Sequence, residues 1–128
     1  TSLTVSGATA TGALTVTGAI TATGDITAFF TSDKRHKNNI QTIPNALEKV
    51  TKLNGVTWEW NDLASEAAKQ SPNIGVIAQE VEEVLPEVVH TDAKTGIKSV
   101  AYGNLSALLI EAIKELNVKI ETLENKLK

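Results

Sequence analysis

The chain has no cysteine and no methionine among its 128 residues. The first absence excludes disulfides and thiolate chemistry, and it leaves two histidines, too few to expect a metal site. No phosphate loop or dinucleotide fingerprint occurs, so no cofactor is expected. The second absence makes the chain read as an excised or processed piece of a longer product. Aromatic residues are scarce: two Trp, two Phe and one Tyr. No apolar run approaches the ~20 residues that span a bilayer, so a membrane partner is not expected. A net charge of −3 offers no basic surface for nucleic acid.

What is present divides in two. Residues 1–31 consist almost entirely of Thr, Ala, Gly, Ser, Val, Ile and Leu, and Asp25 is their only charge. All 12 Lys and Arg lie beyond Ser32. A hexad repeats as Gly12-Ala-Leu-Thr-Val-Thr, Gly18-Ala-Ile-Thr-Ala-Thr and Gly24-Asp-Ile-Thr-Ala-Phe, the mark of quasi-linear architecture. Leu14, Val16, Ile20, Ile26 and Phe30 share one parity; Thr15, Thr17, Thr21, Thr23 and Thr27 share the other. That alternation puts apolar side chains on one strand face and threonines on the other. The glycines permit turns or close backbone approach at each repeat. The shorter step after Gly7 moves Leu3 and Val5 into the opposite register, so a bulge or phase shift is expected there. One thin ribbon cannot bury its own apolar face and leaves open edges. Three chains wound about an axis, a β-prism or β-helix-like shaft, remedy both. A Gly/Thr linker is the alternative that composition alone allows.

Residues 32–103 read as a small α+β domain. A helix is expected from Pro44, suited to a first turn, through Leu47 and Val50 to Leu53, ended by Asn54-Gly55. Residues 56–60 alternate as a strand with Val56, Trp58 and Trp60 inward. A polar excursion over 63–71 precedes Ile74-Gly-Val-Ile-Ala and a short helix over 79–85, stopped by Pro86. Val88-Val89 and residues 97–102 form a hairpin around 92–96. Residues 104–128 read as a long helix. Leu109, Ile113, Leu116, Ile120, Leu123 and Leu127 form a heptad seam, with charged residues on the other faces. Packing on its own domain is one use of that seam and self-association the other. Ile at a with Leu at d favours two strands, whereas a shaft asks for three.

The two compositions meet at Phe30-Thr-Ser-Asp-Lys-Arg-His-Lys37, where Ser32 and Lys37 form the one pair suited to nucleophilic catalysis. A lysine amine can act as base for a serine hydroxyl when burial or neighbouring cations lower its pKa, and Lys34 and Arg35 lie nearby. The spacing places the pair on no common face of a regular helix or strand. On spacing alone a solvated charge run is the simpler reading. His36 and His90 are isolated, and Glu82, Glu83 and Glu87 read as a solvated face.

The segment Ser32-Asp-Lys-Arg-His-Lys-Asn-Asn-Ile40 resembles the opening of the endosialidase-type intramolecular chaperone domains of phage tail fibres and tailspikes, which begin Ser-Asp-x-Arg-x-Lys. The resemblance continues through Val56-Thr-Trp-Glu-Trp60, Ile74-Gly-Val-Ile-Ala-Gln-Glu-Val-Glu-Glu-Val-Leu-Pro-Glu-Val-Val89, Val100-Ala-Tyr102 and Ala112-Ile-Lys-Glu-Leu116. A related module in membrane-bound eukaryotic transcription factors is similar, although the Thr/Gly shaft sets this chain apart from it. The resemblance implies a homotrimer that guides folding of the upstream fibre or spike region of the same chain, then cuts beside Ser32. It implies assembly in the host cytoplasm and a place in the virion. Carried across, Ser32 is the nucleophile and Lys37 its base, while Asp33 and Arg35 complete the motif without assigned roles. His36 stands where the family usually has an apolar residue, which bears on the packing that positions Lys37. Attack by Ser32 on the Thr31 carbonyl closes a five-membered ring and favours the Thr31–Ser32 bond. Scission at Ser32–Asp33 requires a neighbouring chain's serine, or Asp33. The other reading is a non-cleaving trimerisation cap at a fibre tip.

Overall fold

The computed structural model describes residues 4–16 and 20–128. The expectations for Leu3, Thr17 and Gly18 lie outside the described residues. The chain forms two compact units, Thr1–Lys34 and Arg35–Lys128.

Among its described residues the first unit forms no strand, and its large apolar side chains stand in solvent, Ile20 and Ile26 more than two-thirds exposed. A ladder needs a second row of N–H and C=O groups, and one pass of this ribbon supplies none. Its bends fall at Ser6–Gly7, by the expected phase shift, and at Gly12 and Thr23–Gly24, where the hexad glycines predict turns. A Cβ placed on Gly7, Gly12 or Gly24 would meet nothing, so close backbone approach is not their use within one chain.

The second unit has the expected mixed α+β character, with small sheets and a long C-terminal helix. Helix α1 spans Ala46–Thr51. It starts later than Pro44 because Asn45 takes a left-handed conformation (φ 53°), which an asparagine tolerates and a helix cannot propagate. Strand β1, Val56–Thr57, pairs antiparallel with β2, Ile74–Gly75, in the register Val56↔Gly75 and Thr57↔Ile74. The expected five-residue strand is thus shortened to two residues, extended only by the Trp58 N–H donating to the Asn73 carbonyl (3.1 Å). Beyond Asn73 the partner runs into Pro72, whose ring holds φ away from extended values. Trp58 is half-buried as expected, but Trp60 is exposed rather than inward. The polar excursion contains a one-turn helix, α2, Glu66–Lys69.

Helix α3, Ala78–Val84, ends before Pro86, which opens a 3-10 turn. Strands β3, Val89–Thr91, and β4, Lys98–Val100, make the expected hairpin, paired Val89↔Val100, His90↔Ser99 and Thr91↔Lys98. Its loop is closed by Asp92, whose Oδ1 accepts from the N–H groups of Thr95 (2.7 Å) and Lys94 (3.0 Å) and from Thr95 Oγ1. Helix α4, Leu105–Lys126, is the long terminal helix.

The core is small. Ala46 from α1, Val81 from α3, Leu85 and Val88 behind Pro86, and Leu108 and Ala112 from α4 form one buried cluster, flanked by Leu47, Val50, Val89, Val100 and Leu105. Val81 and Leu108 are its largest fully buried side chains. Fully burying such a side chain contributes about 1.5–3 kcal/mol, so few residues decide whether α4 stays on the domain.

Candidate functional site

Three features carry functional content: the opening motif, the exposed seam of α4, and an apolar groove beside the two antiparallel strand pairs. Within the motif, Ser32 is exposed and Asp33 half-buried, and both belong to the first unit. Lys34–His36 form a single 3-10 turn. Arg35 and Lys37 are exposed and belong to the second unit, whose chain then bends through Asn39 at φ 52°. The division into units therefore falls inside the Ser-Asp-x-Arg-x-Lys motif, between Lys34 and Arg35. Ser32, Asp33, Arg35 and Lys37 are each engaged by at least one hydrogen-bonding or electrostatic interaction.

Helix α4 presents two parallel stripes. Leu105, Leu108, Ala112 and Glu115 face their own domain, at the 3-4-3 spacing of a helix side. The heptad seam is offset from that stripe by one residue, or about 100°. Its members Leu109, Ile113, Leu116, Ile120, Leu123 and Leu127 are all at least 45% exposed, so they do not serve the intramolecular core. From Leu116 to the end every residue is exposed, and this length of helix touches no other element through a buried side chain.

Where the inward stripe ends, Glu115 reaches across to the start of α1. The Ala46 N–H donates to Glu115 Oε1 (2.8 Å) and the Leu47 N–H to Oε2 (2.9 Å). These are two of the orphan donors that every helix N-terminus leaves, and the Asn45 side chain does not cap them. The N–H groups of Leu47 and Ala46 hold the Glu115 carboxyl below its ordinary range; partial burial opposes them, and Lys119 and Lys49 assist. A single glutamate among the charged residues of α4 gives no sequence signal for this role, which only the tertiary contact reveals.

The groove, of about 820 Å³, is lined by Trp58, Trp60, Ile74, Val76, Val100 and Tyr102 among others. Trp58 and Trp60 meet edge to face, with centroids 5.6 Å apart at 81°. Gly75 is required on the groove wall, because a Cβ there would run into Tyr102 Oη and lie 3.3 Å from the Trp58 ring. Tyr102 Oη also accepts from the Val76 N–H (3.2 Å). Glu80, within the fingerprint stretch after Ile74, accepts from Asn54 Nδ2 (3.0 Å), a structural use of that carboxylate. Lys98 Nζ binds Glu82 Oε1 (2.7 Å) and Thr91 Oγ1 (2.8 Å), so Glu82 gains an ion-pair partner while its side chain stays 41% exposed. Among the described residues no group of three or more His, Asp or Glu side chains converges as a metal site would require, and no helix is long and apolar enough to cross a membrane.

Residues 32–90 match the family model described as chaperone of endosialidase. Beyond the family, the chain is similar to long tail fiber protein Gp37. It is 38% identical over 102 residues to the Gp37 proteins of Enterobacteria phages K3 and T2, matches that cover 77% of this chain. Gp37 of Salmonella phage S16 is 33% identical over 104 residues. The chain spans 8% of the length of the K3 and T2 proteins and 14% of the S16 protein.

Proposed function

We propose that this chain is the self-cleaving assembly module of a phage tail fibre. Three copies associate through α4, hold the upstream shaft strands in register while they wind, and cut the chain beside Ser32. The observation that carries this reading is the α4 seam: six large apolar residues in heptad register, exposed beside a separate stripe already used for the domain's own core. The family match and the fibre relatives support the assembly role and a virion location.

The physical case for such a module is kinetic. Parallel pairing of three separate chains is slow, because chain ends must meet before any contact rewards them. A self-associating C-terminal helix raises the effective concentration of the shaft strands and fixes their register. The alternating Leu14, Ile20 and Ile26 then have two equivalent neighbours against which to stack. Removing the module after winding leaves the shaft in a state that it re-forms only slowly.

The cut is a single-turnover step. Ser32 Oγ gives its proton to Lys37 Nζ and attacks the Thr31 carbonyl carbon through a five-membered ring. The C–N bond of Thr31–Ser32 breaks, the proton passes to the departing Ser32 amine, and an ester joins Thr31 to Ser32 Oγ. Water then hydrolyses that ester, leaving a Thr31 carboxylate and a module that begins with a free amine at Ser32. Cutting at Ser32–Asp33 instead calls for the serine of a neighbouring chain, since attack on its own carbonyl would close a four-membered ring. Asp33 and Arg35 are supporting members of the motif. The alternative is a fibre cap that associates through the same seam and never cuts.

Light scattering on the Ser32→Ala chain tests association apart from cleavage. The expected mass is three times the 13.6 kDa of one chain. A single-chain mass at every concentration would overturn the proposal.

A further inference from the structure

We propose that Glu115 sets the rotation of α4 about its axis and so turns the Leu109–Leu127 seam outward; this rests on reading that seam as the association face. Hydrophobicity alone does not choose the rotation. The inward stripe reads Leu105, Leu108, Ala112, Glu115, whereas the neighbouring stripe reads Leu109, Ile113, Leu116 and carries the larger apolar surface. A turn of α4 by one residue, about 100°, would fold the seam onto its own domain. Burial favours that turn, because apolar stabilisation scales with the area removed from water.

What opposes the turn is polar. Ala46 is fully buried with Glu115 in place, and an apolar side chain turned over it in place of Glu115 would offer its N–H no acceptor. Rotation by one residue would bring Leu116 towards the start of α1 and leave two backbone donors unpaired, a loss larger than that of an ordinary exposed hydrogen bond. The two bonds run to the two oxygens of one carboxylate, at 2.8 and 2.9 Å, which fixes an angle and not merely a distance. Ala46 and Ala112, both buried, set how closely the helices approach. Glu115 is thus a positioning residue: it belongs to the monomer's core contact, and its consequence is which face is offered to other chains.

The absence of native cysteine makes the test clean. Ile113→Cys places a thiol on the seam and Lys114→Cys places one on an exposed flank. Each is combined with Glu115 intact, Glu115→Gln and Glu115→Ala, all in the Ser32→Ala background. Maleimide labelling is timed below the association concentration, and the association constant is measured by sedimentation. With Glu115 intact, both thiols label at similar rates. In Glu115→Gln, which offers one acceptor oxygen where two are needed, labelling at position 113 slows while that at 114 holds. Losing a cap shifts one chain's equilibrium by about fivefold; once the inward-turned form dominates, the competent fraction falls by up to that factor, and the association constant by up to about a hundredfold, its cube over three chains.

Unchanged labelling ratios and association in both variants would overturn the proposal. So would unfolding of both variants under conditions where the parent folds, seen as loss of the near-ultraviolet Trp signal, since Glu115 would then serve stability generally. A parent chain that never associates would instead refute the reading of the seam, and the thiol ratio would still report on the rotation.

Discussion

Ile120→Ala and Leu108→Ala separate the two stripes of α4 in one experiment. Leu108 is 1% exposed and sits in the core, so truncation removes buried contacts and leaves a cavity, at about 2–5 kcal/mol. In a domain of this size each kcal/mol lowers Tm by about 4–8 °C, and the loss is independent of protein concentration. Ile120 is 46% exposed and is neither in the core cluster nor among the half-buried residues packed on it. Its truncation removes three carbons, at about 0.8 kcal/mol per buried CH₂, of which roughly half are buried only on association. That is about 1 kcal/mol per chain and about 3 kcal/mol for the proposed trimer, or roughly 150-fold weaker association. Thermal melts at two protein concentrations, with sedimentation equilibrium, read both effects. Ile120→Ala should leave the melt of the dilute chain within about 0.5 kcal/mol of the parent, as ordinary surface changes do. An equal loss for both variants in dilute solution, or no change in association for Ile120→Ala, would refute the assignment of the stripes.

Further predictions concern the groove and the polar contacts. Gly75→Ala should cost about 1–3 kcal/mol, because the new Cβ displaces Tyr102 and with it the acceptor of the Val76 N–H; in a Tyr102→Phe background the added cost should shrink, which a double-mutant cycle in urea would read. The Glu115 carboxyl is held below its ordinary value of 4.5 by the two backbone donors, so its folded pKa lies under its unfolded one. Its contribution is therefore fully present above the unfolded value and is lost as pH falls through the folded one. Helical signal followed from pH 6 downward should show this loss in the parent, and Glu115→Gln should remove that component of the pH dependence. Asp92, held low chiefly by the Thr95 N–H, should act with the same sign on the β3–β4 loop. Asp92→Ala should accelerate amide exchange at Lys94 and Thr95, whose N–H groups lose their acceptor.

Long periodic signals were legible in the sequence. The seam places six apolar residues over three heptads, so the helix and its apolar face were both apparent, and the structure adds that this face is distinct from the one used for the core. The β3–β4 hairpin and the stop of α3 were readable from local chemistry: a turn-rich stretch around Asp92 and Gly96, and a proline that cannot continue a helix. Short elements were less so. The β1 strand reads as five residues by alternation, but its length is set by a partner that meets Pro72, which no property of residues 56–60 reveals. The start of α1 depends on the positive φ of Asn45 and on a carboxylate 69 residues away. Within α4, Glu115 looks in sequence like Glu111 or Glu121, and only packing distinguishes them. The motif residues Ser32, Asp33, Arg35 and Lys37 were identified by pattern, and the division of the chain within that motif was not visible in it. The alternation of residues 1–31 forms no strand among the described residues of one chain, and the shaft of several chains belongs to the proposal.

The most direct test of self-cleavage is the intact mass of freshly purified parent protein, followed over hours beside Ser32→Ala and Lys37→Ala. The account predicts two fragments separating at Thr31–Ser32 in the parent, a single uncut mass in Ser32→Ala, and strongly slowed cutting in Lys37→Ala. A parent chain that associates yet remains uncut, or a Ser32→Ala chain that splits like the parent, would contradict it.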